Sequence, residues 1–455
     1  MRARQAGQRA TGAAMLISVT GTTMTTVVPG IQADVAQKVA ETLFGGIPLV
    51  QLILQLLAWA FLAIAVATAT STATNSFRIV LDARLEEIAL RRVLGSSATR
   101  ERRRLTRLSS RIGIIGALLG MTLGTLVLLA VAPGVVTEPF TVLSIVVGAT
   151  AMALATVTAA GRAAREVLST TAITGLRLTR VDEAERAPHT PHEAGRALFV
   201  GGLVVVLGSV VASLFSPFAI LVGALGGVAM MFGALSVMEV LLPAVLTFIT
   251  RLGIVHGAAG VAVQSLRTRS AAAARGATGV FTSTAAVTTF VVALATLTGS
   301  LEDSYAGTGH EDAAVRVLHE VTTQFGLATS LLVVLCGIGL YTSITHSIRQ
   351  RTREIATIRV LGQRPDDTRR MLLVEAGLLT ASAAVPGLAL GTFTGWAGAQ
   401  DVLGTVRELG LLVPVLPWPY LLACAAGAGL LVLVSMRAAA RHVIEPAPVR
   451  ALATA

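Results

Sequence analysis

The sequence predicts an all-α protein that crosses a membrane about ten times. Three observations predict this class. Apolar residues make up 54% of the 455-residue chain and give it a mean hydropathy of +0.75. They stand in long runs that short charged segments separate. The basic residues are concentrated on alternate connecting segments, which is typical of a polytopic membrane protein.

The apolar runs are long enough to be membrane spans. A helix rises ~1.5 Å per residue and therefore needs about twenty apolar residues to cross a hydrocarbon core ~30 Å thick. The candidate runs lie near 10–29, 46–74, 112–133, 140–160, 197–215, 217–249, 277–298, 323–345, 371–395 and 415–436. The run at 217–249 is rich in glycine and long enough to be tilted, or kinked near Pro243.

Positive charge indicates the orientation of the chain. Alternate segments on one side of the predicted membrane carry 33 of the 36 Lys and Arg residues, whereas the other side holds only Lys38, Arg316 and Arg407. Basic residues favour the cytoplasmic side, so both termini are predicted to be cytoplasmic in a cell membrane. This placement accounts for the net charge of +11 without a nucleic-acid partner.

One charged phrase occurs twice, as EEIALRRVLG at 86–95 and REIATIRVLG at 353–362. A shift of 267 residues aligns the copies, and eleven of the 22 positions from 84 to 105 are identical to those from 351 to 372. The same shift aligns ATG at 10–12 with ATG at 277–279. The sequence therefore predicts a duplication. Because the first apolar run has this counterpart, a retained helix is favoured over a cleaved signal peptide.

Six predicted spans separate the starts of the two copies, so the copies have the same orientation and form parallel repeats. Each copy has four spans, and two further spans lie between the copies, which gives a four-plus-two-plus-four arrangement. The predicted divisions are a first four-helix repeat at 1–177, a linker with two unpaired helices at 178–267 and a second four-helix repeat at 268–455.

The charged phrase predicts a helix that ends in a glycine turn. Its apolar residues recur at helical spacing and it ends at Gly95 in one copy and Gly362 in the other, the residue type best suited to a left-handed turn. We expect a short second helix after each turn, which leads into the third span of the repeat. Pro365 followed by Asp366 and Asp367 is a favourable helix start. Basic helices at a membrane surface can simply bind anionic headgroups. Recurrence of a carboxylate, an arginine and a glycine at fixed spacing favours a docking surface instead.

The phrase, its place after the second helix of a four-helix unit and the Gly-rich third helix resemble the permeases of the FtsX and MacB-like ABC transporter family. The resemblance implies an ABC transporter permease with two FtsX-like repeats, in which a cytoplasmic coupling segment of each repeat contacts one copy of an ATPase subunit. Carried over to this chain, the coupling residues are Glu87, Arg92, Gly95, Glu354, Arg359 and Gly362. Many family members carry a large extracellular domain, whereas the predicted outer loops at 30–45 and 299–322 are short.

The sequence does not predict an enzyme. A P-loop requires G-x-x-x-x-G-K-[ST], and the single lysine, Lys38, follows DVAQ. ATP and Mg²⁺ are therefore expected on two separate ATPase subunits, with no cofactor in this chain. The histidines of HTPH at 189–192 have no further ligand cluster, so no metal site is predicted.

Two carboxylates in or beside predicted spans are candidate polar sites. Glu239 lies inside the sixth span, where an ionised group is costly, and a structural role is favoured for it. Glu375 begins the ninth span and is expected to reach the inner interface; the first copy has Leu108 at the equivalent position.

The predicted function is export or extraction of an amphipathic, lipid-like or peptide substrate. The alternatives are an ATP-driven signalling or mechanical protein that moves no substrate, and a secondary transporter. The secondary transporter is disfavoured because paired intramembrane carboxylates are not evident in both copies. Membrane lipids are the other expected partners.

Overall fold

A computed structural model describes residues 15–31, 93–131, 139–168, 192–216, 218–251, 258–268, 270–305, 362–404 and 410–443, together with isolated positions elsewhere. Within these ranges the chain forms helices joined by turns, and no strand occurs. The helices are α1 (Met15–Ile31), α2 (Ala98–Val131), α3 (Pro139–Leu168), α4 (His192–Ala212), α5 (Ala219–Arg251), α6 (Ala258–Thr268), α7 (Ser270–Tyr305), α8 (Pro365–Leu403) and α9 (Trp418–Val443). The all-α class is therefore confirmed.

The helices have the length and composition of membrane spans. Five described helices are long and apolar enough to cross a membrane, and α5 brings the number to six. Exposed leucine, isoleucine and valine side chains cover the outer surfaces of α2 and α3, where a soluble protein would carry polar groups. The chain is an all-α polytopic membrane protein. The predicted spans at 46–74 and 323–345 lie outside the described residues apart from isolated positions, so the four-plus-two-plus-four arrangement stays a prediction.

The helix expected after each glycine turn is present, and it is continuous with the membrane span that it leads into. In the first copy α2 runs without a break for 34 residues, and in the second α8 runs for 39. Neither helix has a glycine or an internal proline in the stretch between its first turn and the apolar run, so the backbone hydrogen bonds continue into the span. Each glycine turn is therefore joined to a membrane span by one uninterrupted helix.

The kink expected near Pro243 occurs elsewhere in α5. The helix is bent by 64° between Ala219–Ala234 and Ser236–Phe248. Gly233 adjoins the bend, and a Cβ there would lie 2.7 Å from the carbonyl oxygen of Gly195 and from the amide nitrogen of Phe199. The bend thus falls at a glycine followed closely by a serine, one of the known causes of helix kinks, where α5 closely approaches the backbone of α4.

The hairpin of α4 and α5 packs on the helices of the second repeat. One buried cluster joins α5, α6, α7 and α8: Ala234, Met238, Leu242, Leu246, Val263, Leu266, Ala274, Ala277, Val280, Phe281, Met371, Leu372, Ala376 and Ala383. A second cluster joins α4, α5 and α8: Val206, Val210, Met230 and Ala397. α4 and α5, the two helices predicted to have no counterpart in a repeat, are thus packed together with α7 and α8.

Candidate functional site: the glycine elbows and the interfaces behind them

The repeated phrase leads into a sharp turn that we call the first elbow, residues 90–101. The amide of Leu94 donates to the carbonyl of Leu90 at 3.0 Å, and the amide of Ser96 donates to the carbonyl of Arg91 at 2.9 Å. Gly95 between them has a φ of 95°. A six-to-one hydrogen bond around a left-handed glycine is the Schellman motif, which satisfies carbonyls that the helix end would otherwise leave without partners. The predicted left-handed turn at Gly95 is confirmed.

Polar side chains fasten the other half of the first elbow. The Ser97 hydroxyl accepts from the amide of Arg100 at 3.3 Å and so caps the start of α2. Glu101 is only 4% exposed. Its Oε1 accepts from the Ser96 hydroxyl at 3.0 Å, and its Oε2 lies 3.9 Å from Nη1 of Arg91. Glu101 therefore ties the start of α2 to the helix before the turn.

The second elbow, residues 357–368, also contains a left-handed glycine, but the contacts that hold its described residues are different. Gly362 has a φ of 101°, and the next helix begins at Pro365 after Arg364, whose side chain makes no capping bond. Asp366 and Asp367 lie in the first turn, as predicted. Thr368 takes the place of Glu101, and its hydroxyl donates to the carbonyl of Arg364 at 3.1 Å. The second elbow relies on proline and on negative charge at the helix start.

Apolar side chains project from both elbows. Leu90, Val93 and Leu94 are 54%, 57% and 79% exposed. Val360, which lies 267 residues after Val93, is 56% exposed. A Cβ at Gly95 or Gly362 would meet nothing within 4 Å, so the turn has open space around it. An exposed apolar patch beside a rigid turn is suited to contact with another protein.

The structure describes only two of the other predicted site residues. Glu87, Arg92, Glu354 and Arg359 lie outside the described residues. Glu239 is half-buried on α5. Glu375 is buried on α8, between Met371 and Ala376 of the large core cluster, so it takes part in packing in the second repeat. Glu239 and Glu375 belong to different regions from the elbows, and their roles stay predictions.

Behind the first elbow, α2 packs against α1 through glycines that receive threonines. A Cβ at Gly120 would lie 2.6 Å from Cβ of Thr22, and one at Gly124 would lie 2.7 Å from Cβ of Thr26. The Thr23 hydroxyl also donates to the carbonyl of Gly120 at 3.2 Å across the interface. Small residues that admit threonines are typical of tight helix contacts in membranes.

The same contact occurs behind the second elbow, between α8 and α7. A Cβ at Gly387 would lie 3.2 Å from Cβ of Thr284, and one at Gly391 would lie 2.6 Å from Cβ of Thr288. The two interfaces share this pattern, and the duplication itself stays a prediction.

The residues of the two interfaces are not related by one constant shift along the chain. Gly120 and Gly124 correspond to Gly387 and Gly391 at the shift of 267, but Thr22 and Thr26 correspond to Thr284 and Thr288 at a shift of 262. The shift between the threonines thus differs by five residues from the shift that aligns the glycines and the two ATG triplets.

A buried carboxyl group lies at the far end of α8. Asp401 is 2% exposed, and its Oδ2 lies 2.8 Å from the hydroxyl of Ser209 on α4. Its Oδ1 has no hydrogen-bond partner among the described residues. A Cβ at Gly223 on α5 would collide with Oδ2 of Asp401. Asp401 thus lies where α4, α5 and α8 meet.

Side chains of α8 also hold the segment that leads into α9. The amide of Leu412 donates to Oε1 of Gln400 at 2.7 Å, and Nε2 of Gln400 donates to the carbonyl of Gly410 at 3.2 Å. The indole of Trp396 donates to the carbonyl of Leu412 at 2.8 Å. These bonds satisfy backbone groups that have no helix or strand to pair with.

Sequence reasoning missed Glu101, Ser97 and Asp401. A serine just before a helical pattern is a known start signal and could have identified Ser97. Glu101 stands ten residues after Arg91, and no local pattern pairs them. No group of three or more His, Cys, Asp or Glu residues is placed to hold a metal ion in the part of the chain that the structure describes.

The comparisons with known proteins bear on the second repeat. Residues 326–446 match the family described as FtsX-like permease C-terminal. This range contains the second elbow and all of α8 and α9. No curated protein matches the chain.

Proposed function

The chain carries an FtsX-like permease C-terminal domain at residues 326–446, and from this premise we propose that it is the membrane subunit of an ABC transporter whose separate ATPase subunits dock on the two elbows. The domain supports an ABC transporter permease-type role, and FtsX-like permeases typically pair with an ABC ATPase. Two elbows imply one ATPase subunit on each. Both termini are predicted to be cytoplasmic, which places the elbows in the compartment that holds ATP.

The exposed apolar side chains at both elbows are the observation that carries the docking proposal. Leu94 on the first elbow and Val360 on the second stand beside left-handed glycines of the same conformation. Lipid headgroups would select positive charge alone. A partner protein instead gains from burying apolar side chains and from a turn of fixed shape.

The length of α2 supports the same proposal. Its first fourteen residues, Ala98 to Arg111, carry six arginines and precede the apolar run. At ~1.5 Å per residue this stretch is about 20 Å long, whereas the headgroup layer on each side of a bilayer is only about 5–8 Å thick. The first elbow would thus stand clear of the headgroups, where a soluble subunit can reach it.

The close glycine contacts suggest how movement is passed on. Because α2 meets α1 and α8 meets α7 without space for a Cβ, each pair would move as one unit. Closure of the ATPase pair would draw the elbows together and shift both helix pairs. The threonine-rich apolar surfaces of these helices suit an amphipathic, lipid-like or peptide cargo.

Nucleotide chemistry belongs to the partner in this proposal. The single lysine of the chain stands outside any P-loop pattern, so the ATPase subunits would bind ATP and Mg²⁺. This chain would act as a transport subunit and perform no hydrolysis itself.

Site-directed crosslinking tests the docking proposal. Leu94→Cys and Val360→Cys, each in a background without native cysteines, should crosslink to the purified ABC ATPase partner. Leu118→Cys, on an exposed apolar face of α2, is the control and should not crosslink. Native mass spectrometry of the complex should give one permease with two ATPase subunits. Equal crosslinking at all three positions, or a complex with one ATPase, would contradict the proposal.

Substrate movement needs a separate measurement. ATP turnover by the assembled complex in nanodiscs should rise when an amphipathic peptide or lipid-like compound is added, because cargo binding and closure are coupled. Turnover that responds to no such compound would favour the signalling role over transport.

A further inference from the structure

Three arginines line one face of α2 just before its apolar run. Arg104, Arg107 and Arg111 are exposed and stand three and four residues apart, so they lie above one another on the helix surface. We call them the arginine line. At the same spacing the face continues as Ile115 and Leu118, which are 48% and 54% exposed. One exposed face of a single helix thus changes from basic to apolar.

The opposite face of α2 is the one that packs on its neighbours. A Cβ at Gly113 would lie 3.3 Å from Cβ of Thr156 on α3, and one at Gly116 would lie 2.5 Å from Cβ of Ser18 on α1. Both glycines are buried. Because α1 and α3 occupy that side of the helix, the arginine line is directed away from them.

The positive charge of the arginine line is not balanced by a carboxylate among the described residues. The acidic residue in the first turn of α2 is Glu101, and it is engaged with Ser96 and Arg91 of the first elbow. The arginine line forms no ion pair within the part of the chain that the structure describes. Three like charges on one face therefore favour an anionic partner.

In the second repeat the corresponding face of α8 is covered by protein. The residues 267 positions after the arginine line are Met371, Val374 and Leu378. Met371 is 4% exposed and belongs to the cluster that α8 forms with α5 and α6, and Leu378 packs against that cluster. Two identical ATPase subunits would need the same surface on both elbows. Charge that is present in one repeat alone is therefore not required for ATPase docking.

The height of the arginine line on α2 identifies its partner. Arg111 directly precedes the apolar run, and Arg107 lies about 6 Å farther along the axis at the helical rise per residue. The headgroup layer is only about 5–8 Å thick, so both side chains lie at the level of the lipid phosphates. Arginine donates two parallel hydrogen bonds to phosphate oxygens. We propose that the arginine line binds the headgroup of an anionic phospholipid of the cytoplasmic leaflet, whose acyl chain lies along Ile115 and Leu118.

Photolabelling in nanodiscs tests the site. The probe is a phosphatidylglycerol with a diazirine near the carboxyl end of one acyl chain, diluted in phosphatidylcholine. Labelled peptides are mapped by mass spectrometry after cleavage with a protease that does not cut at arginine. We expect labelling of the peptide that contains Ile115 and Leu118. The double variant Arg107→Gln and Arg111→Gln should lower this labelling by about tenfold, because each arginine at a membrane surface strengthens the binding of anionic lipid several-fold.

The matched control is the double variant Arg369→Gln and Arg370→Gln, since both are exposed arginines of α8 and the protein loses the same net charge. It should leave the labelling at Ile115 unchanged. The single variants Arg107→Gln and Arg102→Gln make the same comparison within α2, because Arg102 is exposed on another face of the helix. Only Arg107→Gln should lower the labelling, and these single changes decide the matter if a double variant does not fold.

Equal labelling by a phosphatidylcholine probe, or an equal decrease in the test and control variants, would overturn the proposal. Unchanged labelling in the Arg107→Gln and Arg111→Gln variant would also overturn it. Weaker binding of the ATPase partner to that variant would then assign the arginine line to the ATPase interface. The labelling experiment contains no ATPase, so this proposal and ATPase docking fail independently.

Discussion

Ser209 on α4 and Asp401 on α8 are joined by a hydrogen bond of 2.8 Å, although 192 residues separate them in the chain. Both side chains are buried, and Asp401 has one oxygen without a partner among the described residues. A buried carboxyl with a single partner loses much of its stabilisation if that partner is removed. This bond therefore fastens the α4–α5 hairpin to the second repeat.

We expect Ser209→Ala to lower the free energy of unfolding by about 1–3 kcal/mol, because both oxygens of Asp401 would then lie buried without partners. Asp401→Ala should weaken the same interface. In the double variant the two effects should not add, since each change removes the same bond. Thermal unfolding of the purified protein measures the three values. Full additivity would mean that the bond does not couple the helices.

Close approach of α5 to Asp401 gives a second prediction. Gly223→Ala would place a methyl group against Oδ2 of Asp401 and 2.7 Å from the hydroxyl of Ser209. We expect a loss of about 1–3 kcal/mol in unfolding free energy, because the helices must separate to admit the methyl group. Gly208→Ala, in the same hairpin but in open space, should be neutral or slightly stabilising. Similar losses in both variants would contradict this explanation.

Glycine is required at the two elbows because of the backbone conformation there, and not because a side chain would lack space. Gly95 and Gly362 have φ values of 95° and 101°, yet a Cβ at either would meet nothing within 4 Å. Gly95→Val and Gly362→Val should each cost about 1–2 kcal/mol or force the turn to change, because a left-handed conformation is unfavourable for a branched residue. Asparagine tolerates this region, so Gly95→Asn and Gly362→Asn should retain most function.

Binding of the ATPase partner, measured by surface plasmon resonance on nanodiscs, reports the elbow geometry. The valine variants should bind more weakly than the asparagine variants. Gly377→Val provides the control, since Gly377 is exposed on α8 with open space around it. Should valine at Gly95 and Gly362 bind as well as asparagine, the conformation of the turn would be irrelevant to docking.

The elbows could be predicted from sequence because their signals are local. An amphipathic phrase ending in glycine, followed by Pro365 and two aspartates, specifies a helix end and a helix start within a few residues. The helix after each turn is expected to lead into a span, but a charged segment before an apolar run does not show by itself that α2 and α8 continue without a break. The backbone hydrogen bonds of a helix continue across such a boundary, because they do not depend on the polarity of the side chains.

Tertiary contacts explain what could not be predicted. Asp401 lies six residues beyond the predicted span at 371–395, where an acidic side chain suggests an exposed loop. Only the packing of α4 and α5 buries it. The helix contacts at Thr22 and Thr284 could not be predicted either, because threonines recur so often in both segments that the sequence does not single them out.

The ion pair of Glu101 and Arg91 should make the two elbows differ in stability. Glu101→Gln weakens the attraction to Arg91 and should raise amide hydrogen exchange at 93–100 by about fivefold, equal to ~1 kcal/mol. Exchange in the second elbow should not change, because Thr368 occupies the equivalent position and bonds to Arg364 within its own helix.

The matched control for Glu101 is Asp366→Asn in the second elbow. Asp366 lies 3.5 Å from Arg369, but both side chains are exposed. Exposed pairs three residues apart contribute no more than about 0.5 kcal/mol, so exchange near Asp366 should change little. A larger effect at Asp366 than at Glu101 would show that burial does not determine the strength of these contacts.

We predict that the glycines in the helix contacts behind both elbows cannot be replaced by larger residues without loss of stability. Gly391→Ala would bring a Cβ to 2.6 Å from Cβ of Thr288, and Gly124→Ala would bring one to 2.7 Å from Cβ of Thr26. Threonine is branched at Cβ and cannot rotate away, so each pair of helices must separate, at a cost of about 1–3 kcal/mol. Gly398→Ala in α8 meets nothing within 4 Å and should be tolerated. In the first two variants the melting temperature and the rate of ATP turnover by the complex should both decrease, because separated helices no longer move as one unit. If the Gly391→Ala protein is destabilised but its ATP turnover is normal, close packing of α7 and α8 is not needed for coupling. The proposal that each helix pair moves as one unit would then be rejected.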